Sequence, residues 1–127
     1  MSPLKQNDNI VGRKSYAFAL LIIKLYKNLS SEKREFILSK QVLRSGTSIG
    51  ANINEALAGE SKKDFIHKMS ISLKEARETA YWLNLLSDSG FIDKEEYIIL
   101  INNCNELMKI LSSIILTTKE KYLTKQL

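Results

Sequence analysis

The residue types best suited to nucleophilic, acid–base or soft-metal chemistry occur once each in this chain, as His67 and Cys104. A histidine base needs a nucleophile or an orienting carboxylate within hydrogen-bond reach. His67 stands between Ile66 and Lys68 with no carboxylate or cysteine at a regular helical spacing. One histidine and one distant cysteine match no zinc-ligand pattern, and no Glu-x-x-His pair of the di-iron bundle type occurs. Gly46 and Gly50 fall inside a helical pattern, not between a strand and a helix where a phosphate loop would sit. These residues predict no catalytic centre, no metal and no cofactor, so the expectation is a protein that is not an enzyme.

Two sets of side chains offer binding chemistry. On a helical wheel Arg44, Ser48, Asn52 and Glu55 gather within about 80°. Asn52 can donate and accept, Glu55 can accept charge-assisted bonds, and Arg44 or Arg77 can supply a planar donor fork. The set reads as a structural polar network between helices or subunits. Alternatives are direct contact with nucleic acid or protein through Arg44, or an intersubunit pocket around Arg44, Asn52 and Glu55. The second set is basic. Arg13, Lys24 and Lys27 lie within about 60° of one another, beside Tyr16 and Leu20, and Lys14 adds a further cation. Phosphates could meet this row with an aromatic beside it; alternatively it is a solvated stripe on a greasy helix.

The charge distribution favours a local surface. The chain has a formal charge of +5, and residues 10 to 29 contain these four cations and no acid, whereas the later helices are balanced. The basic end, Lys119, Lys121 and Lys125, carries less weight because cations favour helix C-termini.

The elements that must position these groups are helical. A length of 127 residues, 44% apolar and 26% charged, is that of one soluble domain spanning 1–127. The lone cysteine excludes an intrachain disulfide framework and suits a reducing cytoplasm. Residues 1–9 lack the apolar core of a signal peptide, and the apolar run 17–23 ends at Lys24, so no membrane span is expected. No stretch alternates as a strand does. The periodicity predicts four helices at about 10–29, 32–58, 62–87 and 94–122, an all-α, antiparallel up-down-up-down four-helix bundle.

Ser31 is expected to cap the second helix, Gly59 to end it in a left-handed turn, and Ser61 with Asp64 to form a capping box. Gly90 and Asp93 repeat this stop-and-start logic. The second helix should bury Leu38, Val42, Gly46, Ile49, Ile53 and Ala56. The third should bury Ile66, Met69, Leu73, Ala76, Ala80 and Leu83, and the fourth Tyr97, Ile101, Cys104, Met108, Leu111, Ile115 and Thr118. The first helix is apolar nearly all round, and Ile71, Trp82 and Leu85 lie away from the third seam. Self-association covering those three residues is the expected consequence.

The run Arg44-Ser45-Gly46-Thr47-Ser48-Ile49-Gly50-Ala51-Asn52-Ile53-Asn54-Glu55, followed by Ser61-Lys62-Lys63-Asp64-Phe65-Ile66 and Leu73-Lys74-Glu75-Ala76-Arg77-Glu78-Thr79, resembles the S23-like four-helix-bundle family. Its members are encoded in intervening sequences of some bacterial 23S rRNA genes. Ala56 departs from the Gly that many relatives carry after the Glu. The resemblance implies a homopentamer. The similar accessory proteins of diversity-generating retroelements imply nucleic acid and a reverse transcriptase as partners. The leading expectation is a non-enzymatic, cytoplasmic homo-oligomer presenting basic surfaces to RNA or DNA; the alternative is a protein-interaction scaffold with no nucleic-acid role.

Overall fold

An unbroken helical pattern carries the first element through to Ser31, giving α1 (Gln6–Ser31). The computed structural model describes residues 6–59 and 61–126, with side chains described over 10–59 and 61–123. Residues 1–5, part of the stretch read as lacking a leader, lie outside the described residues. In α1 a row at spacings of four and three is buried: Val11, Ser15, Phe18, Ile22, Leu25 and Leu29. The opposite side keeps Tyr16 and Leu20 exposed, so a single chain buries one face of this greasy helix.

The second helix is α2 (Leu38–Leu57), starting six residues later than the sequence predicts. Ser31 belongs to the end of α1, where its hydroxyl donates to the Lys27 carbonyl at 2.6 Å. The amides of Glu32 and Lys33 turn back onto the Asn28 carbonyl, and Arg34 takes a left-handed φ of 52°. The cap is supplied instead by Glu35, whose Oε1 accepts from the Ser39 amide at 2.7 Å. A carboxylate there satisfies an orphan N–H and faces the positive end of the helix dipole.

At its other end α2 closes without a left-handed residue. Ala58 stays right-handed and the Gly59 amide reaches the Ala56 carbonyl at 3.1 Å. Gly59 is favoured by space rather than by φ: a Cβ would lie 3.1 Å from the Ala56 carbonyl oxygen and 2.6 Å from Asp64 Oδ2, the end of a side chain that can swing aside. Ser61 caps α3 (Lys62–Asp88), accepting from the Asp64 amide at 3.0 Å, while the Asp64 carboxylate lies beside Gly59. Gly90, at φ 83°, ends this helix, and Asp93 Oδ1 accepts from the Glu96 amide at 2.8 Å to start α4 (Lys94–Gln126).

Contacts pair α1 with α2, α2 with α3, α3 with α4 and α4 with α1, a four-helix bundle in which neighbours in sequence are neighbours in space. The direction alternates. Ile22 lies against Gly46 and Ser15 against Gly50, Ser45 meets Thr79 and Ile49 meets Ser72, Ala76 meets Cys104, and Lys14 meets Glu106. Closest approach is through small residues: the Ser72 hydroxyl donates to the Ile49 carbonyl at 2.8 Å and Thr79 Oγ1 to Ser45 Oγ at 2.9 Å, all buried.

On α2 the predicted face is buried at Val42, Gly46, Ile49, Ile53 and Ala56, with Leu38 half-buried. The seams of α3 and α4 are rotated from the expected rows. Ser72 and Thr79 are fully buried, while Ile66, Leu73 and Ala80 are half-buried. On α4 Leu100, Leu107 and Ile114 join Cys104, Leu111 and Ile115 in the core; Tyr97, Ile101, Met108 and Thr118 sit at its margin. A helix with two neighbours buries an arc toward the bundle axis, and the predicted row on α4 leans toward α3, where Tyr97 Oη donates to Asn84 Oδ1 at 2.5 Å.

By length and composition α4 could cross a membrane over Lys94–Leu123. Its outer face, however, carries exposed Asn102, Asn105, Glu106 and Lys109, the division of an amphipathic bundle helix.

Cys104 donates to the Ala76 carbonyl at 3.2 Å, and burial pushes its thiol up to about 12, against a smaller opposing effect of the Ala80 backbone. The thiolate is the reactive form. Native protein at pH 8 is therefore expected to resist thiol-specific alkylation over hours, with one equivalent labelled after denaturation, as intact mass would record.

Candidate nucleic-acid interface

The geometry of α1 places its cations by simple periodicity. Arg13, Lys24 and Lys27 fall on the side opposite Val11, Phe18, Ile22 and Leu25, and all three are exposed, as are Tyr16 and Leu20 among them. None of the three makes an ion pair among the described residues. Lys14 is rotated about 100° toward α4 and pairs with Glu106 at 2.9 Å. Lys24 borders a groove between α1 and α4 that also contains Asp93, Glu95 and Glu96. Burial, then Asp93, raises the Glu96 carboxyl, and Lys24 and Lys33 oppose that rise. The sequence-predicted row thus exists as an outward strip with Lys14 set off to one side.

A second groove, of about 700 Å³, separates α1 from α2. Arg13 and Tyr16 line it from α1; Thr47, Gly50, Ala51 and Asn54 line it from α2. These four come from the distinctive run 44–55, on the side turned away from α3. No carboxylate is among the lining residues that are described.

The polar stripe is dispersed rather than closed on itself. Ser48 Oγ donates to the Arg44 carbonyl at 2.6 Å and Asn52 Nδ2 to the Ser48 carbonyl at 2.8 Å, bonds within α2. The interhelical partners are acidic and basic groups of α3: Arg44 Nη2 reaches Glu78 at 3.5 Å and Glu55 reaches Lys68 at 3.2 Å. Arg77 is exposed and stands about 200° round α3 from Glu75, apart from the others. Arg44 itself is exposed on the α2–α3 side, away from the α1 cations. The side chain of Lys125 lies outside the described residues; Lys119 and Lys121 are exposed near the end of α4.

A family model described as 23S rRNA-intervening sequence protein matches residues 7–113. The chain belongs to that family. A crystal structure of a protein with unknown function from the S23 ribosomal protein family, from Bacteroides thetaiotaomicron VPI-5482, is similar to it with a TM-score of 0.86. That protein is 53% identical, with 87% of this chain and 98% of that chain covered. No curated protein matches the chain.

In this member of the 23S rRNA-intervening sequence protein family, Ile71, Trp82 and Leu85 are half-buried on α3. They share a helical side with Glu75 and Glu78, and Trp82 packs on the core with Tyr81 edge-on at 5.1 Å. An exposed apolar surface also occurs at Leu21 of α1 with Ile98 and Ile99 of α4. Sequence periodicity missed it because α4 was assigned one inward row. It also missed Glu75 and the indole of Trp82, whose Oε2 and Nε1 are buried with no hydrogen-bond partner among the described residues. Among the described residues no group of His, Cys, Asp and Glu could hold a metal ion; His67 is exposed on α3 and Cys104 is buried on α4.

Burial, followed by the neighbouring Glu78, raises the Glu75 carboxyl, with Arg44 and Lys74 opposing. A carboxyl raised in the folded state binds its proton more tightly there than when unfolded. Its charge therefore destabilises the fold at neutral pH, and the penalty fades as pH falls through the raised value toward the ordinary carboxylate range. Glu75→Gln is expected to melt at a higher temperature than wild type at pH 7, the difference disappearing near pH 4 in parallel thermal melts.

Proposed function

We propose that this family member is a non-enzymatic, self-associating bundle that binds nucleic acid through the phosphate backbone, without sequence preference. One observation carries the reading: Arg13, Lys24 and Lys27 form an outward row on α1 with no ion pair among the described residues. Cations held in no ion pair are available to replace counterions on phosphates, the sequence-independent part of nucleic-acid affinity, with Lys24 doing so beside the carboxylates of Asp93, Glu95 and Glu96. Self-association is supported by Leu21 and Ile99, which line the α1–α4 groove, with Ile98 beside them. Burying each such side chain fully contributes about 1.5 to 3 kcal/mol. A symmetric assembly, five copies in the proposed arrangement, repeats the basic row and multiplies its local potential. An accessory role beside a reverse transcriptase is the extension suggested by likeness to retroelement accessory proteins.

The same apolar strip favours a second reading, a scaffold that docks a partner protein. Nuclease-treated protein titrated against labelled RNA and duplex DNA, with its mass measured by light scattering in the same buffer, separates the two. Binding of both polymers by a multiple of 14.5 kDa is expected. An oligomer that binds neither at low salt would leave the scaffold.

A further inference from the structure

The α1–α2 groove collects groups that fit the separate parts of a nucleotide. Tyr16, 69% exposed, offers an aromatic face. The exposed Asn54 carries an amide that both donates and accepts, and Arg13, a cation, belongs to the same lining. Gly50 and Ala51 keep the α2 wall low; a Cβ at 50 would already stand 3.3 Å from Ser15 Oγ. Among the described residues the lining holds one cation and no carboxylate, which suits an anionic occupant. Its volume of about 700 Å³ accommodates a base together with its sugar. Lys24 and Lys27 continue the charge along the helix, roughly 16 and 21 Å from Arg13 at 1.5 Å per residue.

Resting on the nucleic-acid reading above, we infer that this groove is a base-binding site for single-stranded nucleic acid. An unpaired base stacks on Tyr16, Asn54 hydrogen-bonds its edge, Arg13 holds the adjoining phosphate, and Lys24 and Lys27 guide the strand. Bases in a duplex are stacked on one another and cannot enter, whereas splayed bases stack readily on aromatic side chains. The groove gives the protein a preference for unpaired segments that a charged row alone lacks.

The test is fluorescence anisotropy of the full chain with a labelled uridine oligonucleotide and a DNA duplex of the same length. The variants are Tyr16→Ala, Tyr16→Phe, the groove-filling Ala51→Phe, and Lys24→Glu with Lys27→Glu. Tyr16→Ala and Ala51→Phe are expected to lower oligonucleotide affinity about tenfold or more while changing duplex affinity less than about twofold, and Tyr16→Phe to bind as wild type. If both groove variants bind the oligonucleotide as wild type while the charge reversal weakens both polymers, the groove inference falls and the basic-row reading stands. If the charge reversal is also without effect, both fall. A change in mass on Ala51→Phe with oligonucleotide binding intact would assign the groove to a second copy and overturn the inference.

Discussion

Lys24→Glu combined with Lys27→Glu is expected to weaken binding to RNA and duplex DNA alike by about tenfold or more per engaged protomer. Each lost phosphate contact removes close to one unit from the salt slope, and each reversed charge adds repulsion. The fold should survive. Both side chains are exposed opposite the buried row of α1 and neither makes an ion pair among the described residues, so the cost at 24 is confined to the like charge that a glutamate adds beside Asp93, Glu95 and Glu96. A glutamate at position 27 approaches the negative end of the α1 dipole, which costs only about 0.3 to 1 kcal/mol. Filter binding at fixed salt, with far-ultraviolet circular dichroism on the same samples, reads both quantities. Lys119→Glu with Lys121→Glu, exposed near the end of α4, is the matched charge control and should cost much less affinity.

The second large effect concerns the α1–α2 crossing. A Cβ added at Gly46 would lie 2.8 and 2.9 Å from the two Cγ atoms of Ile22, a fully buried, β-branched side chain with little rotamer freedom. Gly46→Ala gains about 1 kcal/mol of helix propensity, but the forced separation of α1 from α2 costs about 1 to 3 kcal/mol or more. Gly46→Val adds bulk at the same point and should unfold the protein at markedly lower denaturant. Gly50→Ala meets the Ser15 hydroxyl at 3.3 Å and the Ser15 backbone at an ordinary 3.5 Å, and Gly12→Ala meets Leu57 at an ordinary 3.7 Å. Urea titrations should therefore rank the alanine variants in stability with 46 lowest, 50 intermediate and 12 at or above wild type. An equal gain at all three positions would contradict the close crossing.

The contrast between those glycines also marks what the sequence could reveal. Gly46 on the apolar face of α2 was legible because one helix face must serve the core, and the sequence-predicted face of α2 matches the buried set closely. The loop at 32–37 was not legible. Ser31 followed by Glu32 has the composition of a cap, but the Asn28 carbonyl captures the amides of Glu32 and Lys33, leaving Glu35 to cap α2 from within the loop. The rows of α3 and α4 were drawn along the apolar residues, and so passed over Ser72 and Thr79, which are buried because small side chains allow α2 and α3 to approach.

The candidate site divides in the same way. The basic row could be read from periodicity alone, because a helix with one buried face fixes where every other residue points. Lys14, one position beyond Arg13, turns to Glu106, a partner 92 residues away that no local pattern reveals. The stripe of Arg44, Ser48, Asn52 and Glu55 does share one side of α2, but its tertiary partners are Glu78 and Lys68, contributed by a neighbouring helix. The groove at Tyr16 and Asn54 depends on the spacing between two helices and has no signature in either sequence segment. Ile71, Trp82 and Leu85, which in sequence lie away from the apolar row of α3, form a half-buried flank in the single chain.

The central claim is that the outward row of α1 neutralises phosphates. It is tested most directly by the slope of log affinity against log salt, measured for wild type and for Lys24→Glu with Lys27→Glu on samples of matched mass. The account predicts a steep linear fall for wild type and a slope shallower by about one unit for each contact removed. Identical slopes in the two proteins, or no binding by wild type at the lowest salt, would contradict it.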